Sequence, residues 1–262
     1  MGIVNVTPDS FWPGSRAYGD QAIELGLRLA NEGAQVLDIG GESTRPGSEY
    51  VDAETEWRRI VPVLEGLQDA GCQAQISIDT RKRAVMEAAA QKGATWLNDV
   101  SALQDDADLA RFAAEAQLTV VLMHRQGHPT TMQNLPQYDN VVTDVKNFLS
   151  RRIEAALKAG ISQDRILVDP GFGFGKTFDQ TIQLFQGLPE IASLGFPVLA
   201  GLSRKSFLGR ISGTQVEDRL PESVVAALAS SQMGVSWIRV HDVLATVNAF
   251  HTWDALRPQG GW

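Results

Sequence analysis

The sequence predicts an α/β protein: a single (β/α)8 TIM barrel formed by residues 1–262 as one domain. Three observations predict it. Eight short apolar runs alternate with segments of helical periodicity. Most runs are continuous in Val, Ile and Leu, as parallel strands buried on both faces require. Nearly every run ends in a polar side chain, as expected where strand ends converge on one mouth. An open doubly wound sheet is the runner-up architecture.

The strands are read at 2–6, 35–40, 75–79, 96–99, 119–123, 166–169, 197–202 and 236–240. The first ends in Asn5, the second in Asp38, the third in Asp79 and the fourth in Asn98 and Asp99. The fifth ends at Met123-His124 and the sixth at Asp169. The seventh runs into Ser203-Arg204-Lys205, and the eighth closes with Arg239 and His241. Between them, apolar residues recur at helical spacing: Ile23, Leu27 and Ala30; Trp57, Ile60, Leu64 and Leu67; Val142, Val145, Leu149 and Ala156; Val243, Val247 and Phe250. No Pro- or Ser-rich linker divides the chain. One polar strand end is readily explained as a helix cap, but eight together are not.

Composition narrows the function. The single cysteine, Cys72, rules out an intramolecular disulfide and fits a reducing cytoplasm. No apolar run approaches the roughly 18 residues of a membrane span. The first residues lack the basic and apolar regions of a signal peptide. A net charge of −8 disfavours nucleic acid and anionic membranes as partners. An anionic ligand would therefore need a local cluster of cations.

Four constellations carry chemistry. Asp79, Asn98 and Asp169 fall at the rim of one cavity. Such a set suits acid/base work or metal binding, and equally a ligand rich in N–H donors. A pterin presents such an edge, on which ionised carboxylates make bonds roughly twice as strong as neutral ones. Spacing alone does not separate these readings. The loop Gly40-Gly41-Glu42-Ser43-Thr44-Arg45-Pro46-Gly47 offers an Arg fork for an anion and the form of a mobile flap. Asp169-Pro170-Gly171-Phe172-Gly173-Phe174-Gly175-Lys176-Thr177 ends like a nucleotide P-loop, but its glycine spacing is off by one residue. It is read instead as holding Asp169 and setting Phe174 against a flat ring. Lastly, Ser203-Arg204-Lys205 and Arg239-Val240-His241 follow the seventh and eighth strands, where barrels commonly bind phosphate. His124 and His128 have no clear role, and Trp96, Trp237 and Trp253 are read as packing residues. No Ser-His-Asp order or zinc spacing appears.

These segments, the last two extended to Ser206-Phe207 and Asp242, with Asn5-Val6-Thr7-Pro8-Asp9-Ser10-Phe11, Ser77-Ile78-Asp79-Thr80 and Asn98-Asp99-Val100-Ser101, run in order from residue 5 to residue 242 and resemble the dihydropteroate synthases. The resemblance implies condensation of 6-hydroxymethyl-7,8-dihydropterin diphosphate with 4-aminobenzoate in folate biosynthesis. Asp79, Asn98, Met123, Asp169, Phe174, Gly201 and Lys205 would hold the pterin. Asn5, Arg239 and His241 would hold the diphosphate, with Asn5 also placing Mg²⁺. Phe11, Thr44, Arg45, Pro46, Ser203 and Lys205 would form the aminobenzoate pocket. Asp79, Asp169, Lys205, Arg239 and His241 would carry catalysis. It further implies a cytoplasmic homodimer inhibited by sulfonamides.

The sequence departs from the family in several places. Trp12-Pro13-Gly14-Ser15 replaces the usual Ser-Asp-Gly-Gly of the first loop. Ala102-Leu103 follows Ser101 in place of glycines, and Arg125 and His128 are unusual in the fifth loop. The chain starts almost at its first strand, so a barrel lacking the usual N-terminal extension is expected. Two alternatives remain: a methyltetrahydrofolate-dependent methyltransferase on the same barrel, and a pterin-binding homologue without turnover.

Overall fold

The computed structural model describes residues 1–7, 17–43, 48–127 and 137–257. Eight parallel strands lie in sequential order: β1 (Gly2–Asn5), β2 (Val36–Gly40), β3 (Gln75–Asp79), β4 (Trp96–Asp99), β5 (Thr119–Met123), β6 (Ile166–Asp169), β7 (Val198–Ala200) and β8 (Val235–Ile238). The barrel closes where Gly2 bridges Val240, with Ile3 N donating to Val240 O and Val240 N to Met1 O, both at 3.0 Å. That closure excludes the open sheet.

Ten helices among the described residues surround the strands. They are α1 (Ala17–Asn31), α2 (Ala53–Asp69), α3 (Arg83–Gln91), α4 (Leu109–Glu115), α5 (Val141–Lys158), α6 (Phe178–Gln186), α7 (Leu188–Ala192), α8 (Ser206–Ser212), α9 (Leu220–Gln232) and α10 (Val243–Leu256). Their starts have chemical causes. Asp52 accepts from Thr55 N ahead of α2, and Asn140 accepts from Val142 N and Thr143 N ahead of α5. Thr177 and Gln180 form a reciprocal capping box that opens α6. The threonine that gave the sixth loop its P-loop look is thus a helix cap.

Strand alternation splits the interior into two layers. Outward residues such as Val4, Leu37, Ile78, Leu97, Val120 and Val168 join the helices in one large apolar core. Inward residues Met1, Val36, Trp96, Val121, Leu167 and Leu199 plug the barrel, with Trp237 edge-on to Trp96 at 4.8 Å. Both tryptophans are packing residues. One step further along the strands, the inward positions turn polar.

One helix differs from expectation. The fully buried positions of α1 are Ala22, Gly26 and Leu29, while Ile23, Leu27 and Ala30 are half-buried. Small residues face the core here because α1 packs closely on α2: a Cβ on Gly26 would sit 2.9 Å from Leu67 Cδ2.

Candidate active site at the barrel mouth

The polar layer centres on Asp38, which is fully buried. Register sets Asp38 beside Ser77 and Asp79 beside Asn98. Asp38 Oδ1 accepts from Ser77 Oγ at 2.5 Å. Its Oδ2 accepts from Asn98 Nδ2 at 2.9 Å and from Arg239 Nε at 2.6 Å. Arg239 Nη2 also reaches Asp79 Oδ2 at 3.2 Å. One guanidinium thus ties β2 to β3 across the barrel.

Asp79 Oδ1 is buried and has no hydrogen-bond partner among the described residues. Burial, then the neighbouring charge of Asp38, pushes the Asp79 carboxyl up to about 8 against the opposing pull of Arg239. Burial also raises Asp169, whose Oδ1 accepts from Gly171 N at 2.7 Å; Lys205 and Lys176 act the other way. His241 is lowered to about 4 by burial and then by Arg239. Its Nδ1 lies 3.0 Å from Ser203 Oγ, which also accepts from His241 N at 3.2 Å. Lys205 Nζ stands 4.5 Å from the centre of the Phe174 ring.

These groups face one cavity of about 570 Å³. The described residues assigned to the pterin line it: Asp79, Asn98, Met123, Asp169, Phe174, Gly201 and Lys205. So do Asn5, Arg239, His241 and Ser203. Phe11, Thr44, Arg45 and Pro46, together with Trp12, Pro13 and His128, lie outside the described residues. Asp38 was legible only as a strand end, and its hub position comes from register. Ser206 and Glu42 also line the cavity and were not singled out. Glu42 accepts from Arg81 and, at 2.8 Å, from Lys82 Nζ. Arg81 continues to Asp105, which Arg125 also holds at 2.6 Å, so the unusual Arg125 closes a chain of charges joining the loops after β2 to β5.

The Ala102-Leu103 departure has a backbone consequence. Both residues are left-handed, at φ +53° and +63°, where glycine is at ease. The buried Asp99 carboxylate holds the turn by accepting from Ser101 N and Leu103 N, each at 2.7 Å.

Two buried acids and an amide beside an Arg–His pair, at the open end of a parallel barrel, define a site for a flat N–H-rich heterocycle bearing an anion. The model for the pterin binding enzymes matches residues 1–241. A dihydropteroate synthase of Neisseria meningitidis serogroup B is 46% identical over 263 residues, spanning 98% of this chain and 92% of that relative. The structure of Xanthomonas albilineans dihydropteroate synthase with 4-aminobenzoic acid is 48% identical with a TM-score of 0.91, covering 98% of this chain and 92% of that one. Yersinia pestis dihydropteroate synthase with a sulfonamide drug complex is 42% identical with a TM-score of 0.91, covering 97% and 92%. The chain belongs to the pterin binding enzymes, among the dihydropteroate synthases.

Proposed function

We propose that the mouth binds 6-hydroxymethyl-7,8-dihydropterin diphosphate and 4-aminobenzoate and joins them into 7,8-dihydropteroate and pyrophosphate. The observation that carries this is the unpartnered Asp79 Oδ1 on the wall of a cavity that also holds Asp169, Arg239 and His241. A buried carboxylate oxygen without a donor costs about 1–3 kcal/mol, and a pterin N–H removes that cost. Asp79 and Asp169 accept from the ring, Asn98 supplies an amide for its remaining positions, and Lys205 and Phe174 flank it.

The exocyclic C–O bond breaks and its electron pair leaves with the pyrophosphate. The resulting pterin cation is stabilised by the two carboxylates, while Arg239 offsets the charge of the departing anion and the neutral His241 offers it a hydrogen bond. The lone pair of the arylamine then forms the new C–N bond, and the amine gives up its proton to solvent. An aromatic amine is nucleophilic already, so no strong base is required.

Mg²⁺ would offset further diphosphate charge when bound. Among the described residues no three acidic, His or Cys side chains cluster as a metal cage. Asn5 offers one neutral amide oxygen. Asn5 would hold the ion through that oxygen, with the diphosphate supplying the charge that draws it in.

The family resemblance assigns 4-aminobenzoate to Phe11, Thr44, Arg45, Pro46, Ser203 and Lys205, and sulfonamides would compete for the same groups because they mimic its shape and charge. A competitive rise in the KM for 4-aminobenzoate checks this; turnover unchanged at high sulfonamide argues against it. A homodimer would pair through the late helices, where the apolar Val225 on α9 and Leu244 and Leu256 on α10 are exposed. The lone cysteine, which can form no intramolecular disulfide, is consistent with a cytoplasmic enzyme. No helix among the described residues is long and apolar enough to cross a membrane.

The test is pyrophosphate release from the pterin diphosphate. Release that depends on both 4-aminobenzoate and Mg²⁺ supports the proposal. Binding of the diphosphate with no release would instead mark a pterin-binding protein without turnover.

A further inference from the structure

Lys176 takes no part in the chemistry above, yet it is 5% exposed and lies beneath the loop that carries Asp169 and Phe174. Its Nζ donates to Gly171 O at 2.8 Å and to Phe174 O at 3.1 Å, and meets His124 Nδ1 at 2.9 Å. An ammonium has three hydrogens, and each finds an acceptor. His124 is held neutral by burial and then by Lys176 itself, so its Nδ1 accepts and its proton sits on Nε2.

Burying an ammonium whose bonds are all to neutral acceptors is unfavourable. Lys176 is accordingly lowered to about 7 by burial, with Asp169 acting to raise it. An apolar side chain of similar length would fill the same space at less cost. It could not tie two carbonyls of the loop to the end of β5.

The loop needs such a tie because of its backbone. Gly171 has φ +70°, and a Cβ there would fall 1.8 Å from His124 O. Gly175 has φ +65°, and its Cβ would fall 2.5 Å from Gln126 O. Main chain thus rests directly on main chain, with few side chains to hold it. Tyr138 Oη adds one bond, to Gly175 O at 2.8 Å. The anchor itself is firm: His124 N donates to Asp169 O at 2.9 Å, and its ring packs edge-on to Phe148 at 4.8 Å.

Both groups the loop presents hang on the atoms Lys176 grips. Gly171 N holds the Asp169 carboxylate at 2.7 Å, while Gly171 O is bound by Lys176. Phe174 O is bound by Lys176, while the Phe174 ring faces Lys205. We propose that Lys176, anchored on His124, is a positioning residue that fixes Asp169 and Phe174 in the orientation that receives the pterin. This rests on the proposed placement of the pterin against those two residues.

The test uses calorimetry with 6-hydroxymethylpterin, melting curves and steady-state kinetics on the full chain. Lys176→Met keeps the length and removes the donors. It is expected to weaken pterin binding at least tenfold while leaving the KM for 4-aminobenzoate unchanged at saturating pterin diphosphate. His124→Asn, which keeps an acceptor near Nδ1, should bind pterin as the wild type does; His124→Leu should lose affinity as Lys176→Met does. If Lys176→Met does not fold, the His124 pair decides alone. Pterin affinity within twofold of wild type in Lys176→Met, an equal rise in both KM values, or equal affinities in the two His124 variants would overturn the proposal. Asp169→Asn separates the two levels. Undiminished pterin affinity in that variant would overturn the placement of the pterin itself. Loss there with none in Lys176→Met would overturn only the role of Lys176.

Discussion

Replacing Asp38 by Asn removes a negative charge from the barrel floor and leaves its shape. The Asn oxygen can still accept from Asn98 and Arg239, and its amide can face the Ser77 hydroxyl, which accepts as well as donates. What is lost is a counter-charge to Arg239, whose side chain is only 18% exposed. Breaking a buried pair costs about 3–5 kcal/mol. Arg239 keeps Asp79 at 3.2 Å, so the low end, about 3 kcal/mol, applies. At about 2–4 °C per kcal/mol for a domain near this size, Tm should fall by about 6–12 °C. A second effect concerns protons. Burial and the charge of Asp38 push the Asp79 carboxyl up to about 8, so it keeps its proton to higher pH than a free carboxyl does. A pterin that donates to the carboxylate binds the ionised form, so the wild type should release protons on binding pterin near pH 7 and bind more tightly as pH rises toward the Asp79 pKa. Asp38→Asn removes the like charge that helps raise Asp79, so its proton release should shrink. Melting curves and calorimetry in buffers of different ionisation enthalpy measure both effects. An unchanged Tm together with an unchanged proton count would refute the hub role of Asp38.

Lys205→Ala should weaken binding of 6-hydroxymethylpterin by about tenfold or more, the loss expected for a charged bond of about 1.5–3 kcal/mol, as read by calorimetry. His241→Ala should weaken the pterin diphosphate and spare the phosphate-free pterin; equal losses for both ligands would remove His241 from the diphosphate site. Arg239→Ala is a poorer probe of that site, because it also strips Asp38 and Asp79 of their shared cation. Gln117, exposed and left-handed at φ +52° just past α4, should gain up to about 1 kcal/mol when replaced by Gly, raising Tm by about 2–4 °C.

The strands were legible because both their faces are apolar, and the site was legible because its side chains end those strands. Residues 75–79, 96–99, 119–123 and 166–169 were located to the residue. The seventh run was overextended at both ends, and the eighth was set late, missing Val235 and running past Ile238; Val240 still bridges Gly2, but outside β8. The stripe of α1 was displaced because Ala22, Gly26 and Leu29 are no more apolar than their neighbours, and only close packing on α2 distinguishes them. The hub role of Asp38 could not be read from order along the chain, since it depends on lateral register with Ser77 and on Arg239 crossing the barrel. Lys176 was hidden for a related reason. In sequence it closes a glycine-rich run, and only the fold brings His124, 52 residues away, against its amine.

The most direct measurement is a crystal structure of the chain with 6-hydroxymethylpterin bound. The ring N–H edge is predicted to lie within about 3 Å of Asp79 Oδ1, with Asp169 accepting from the same ring and Phe174 against one of its faces. A pterin seated elsewhere, or one that leaves Asp79 Oδ1 still without a donor, would contradict the account.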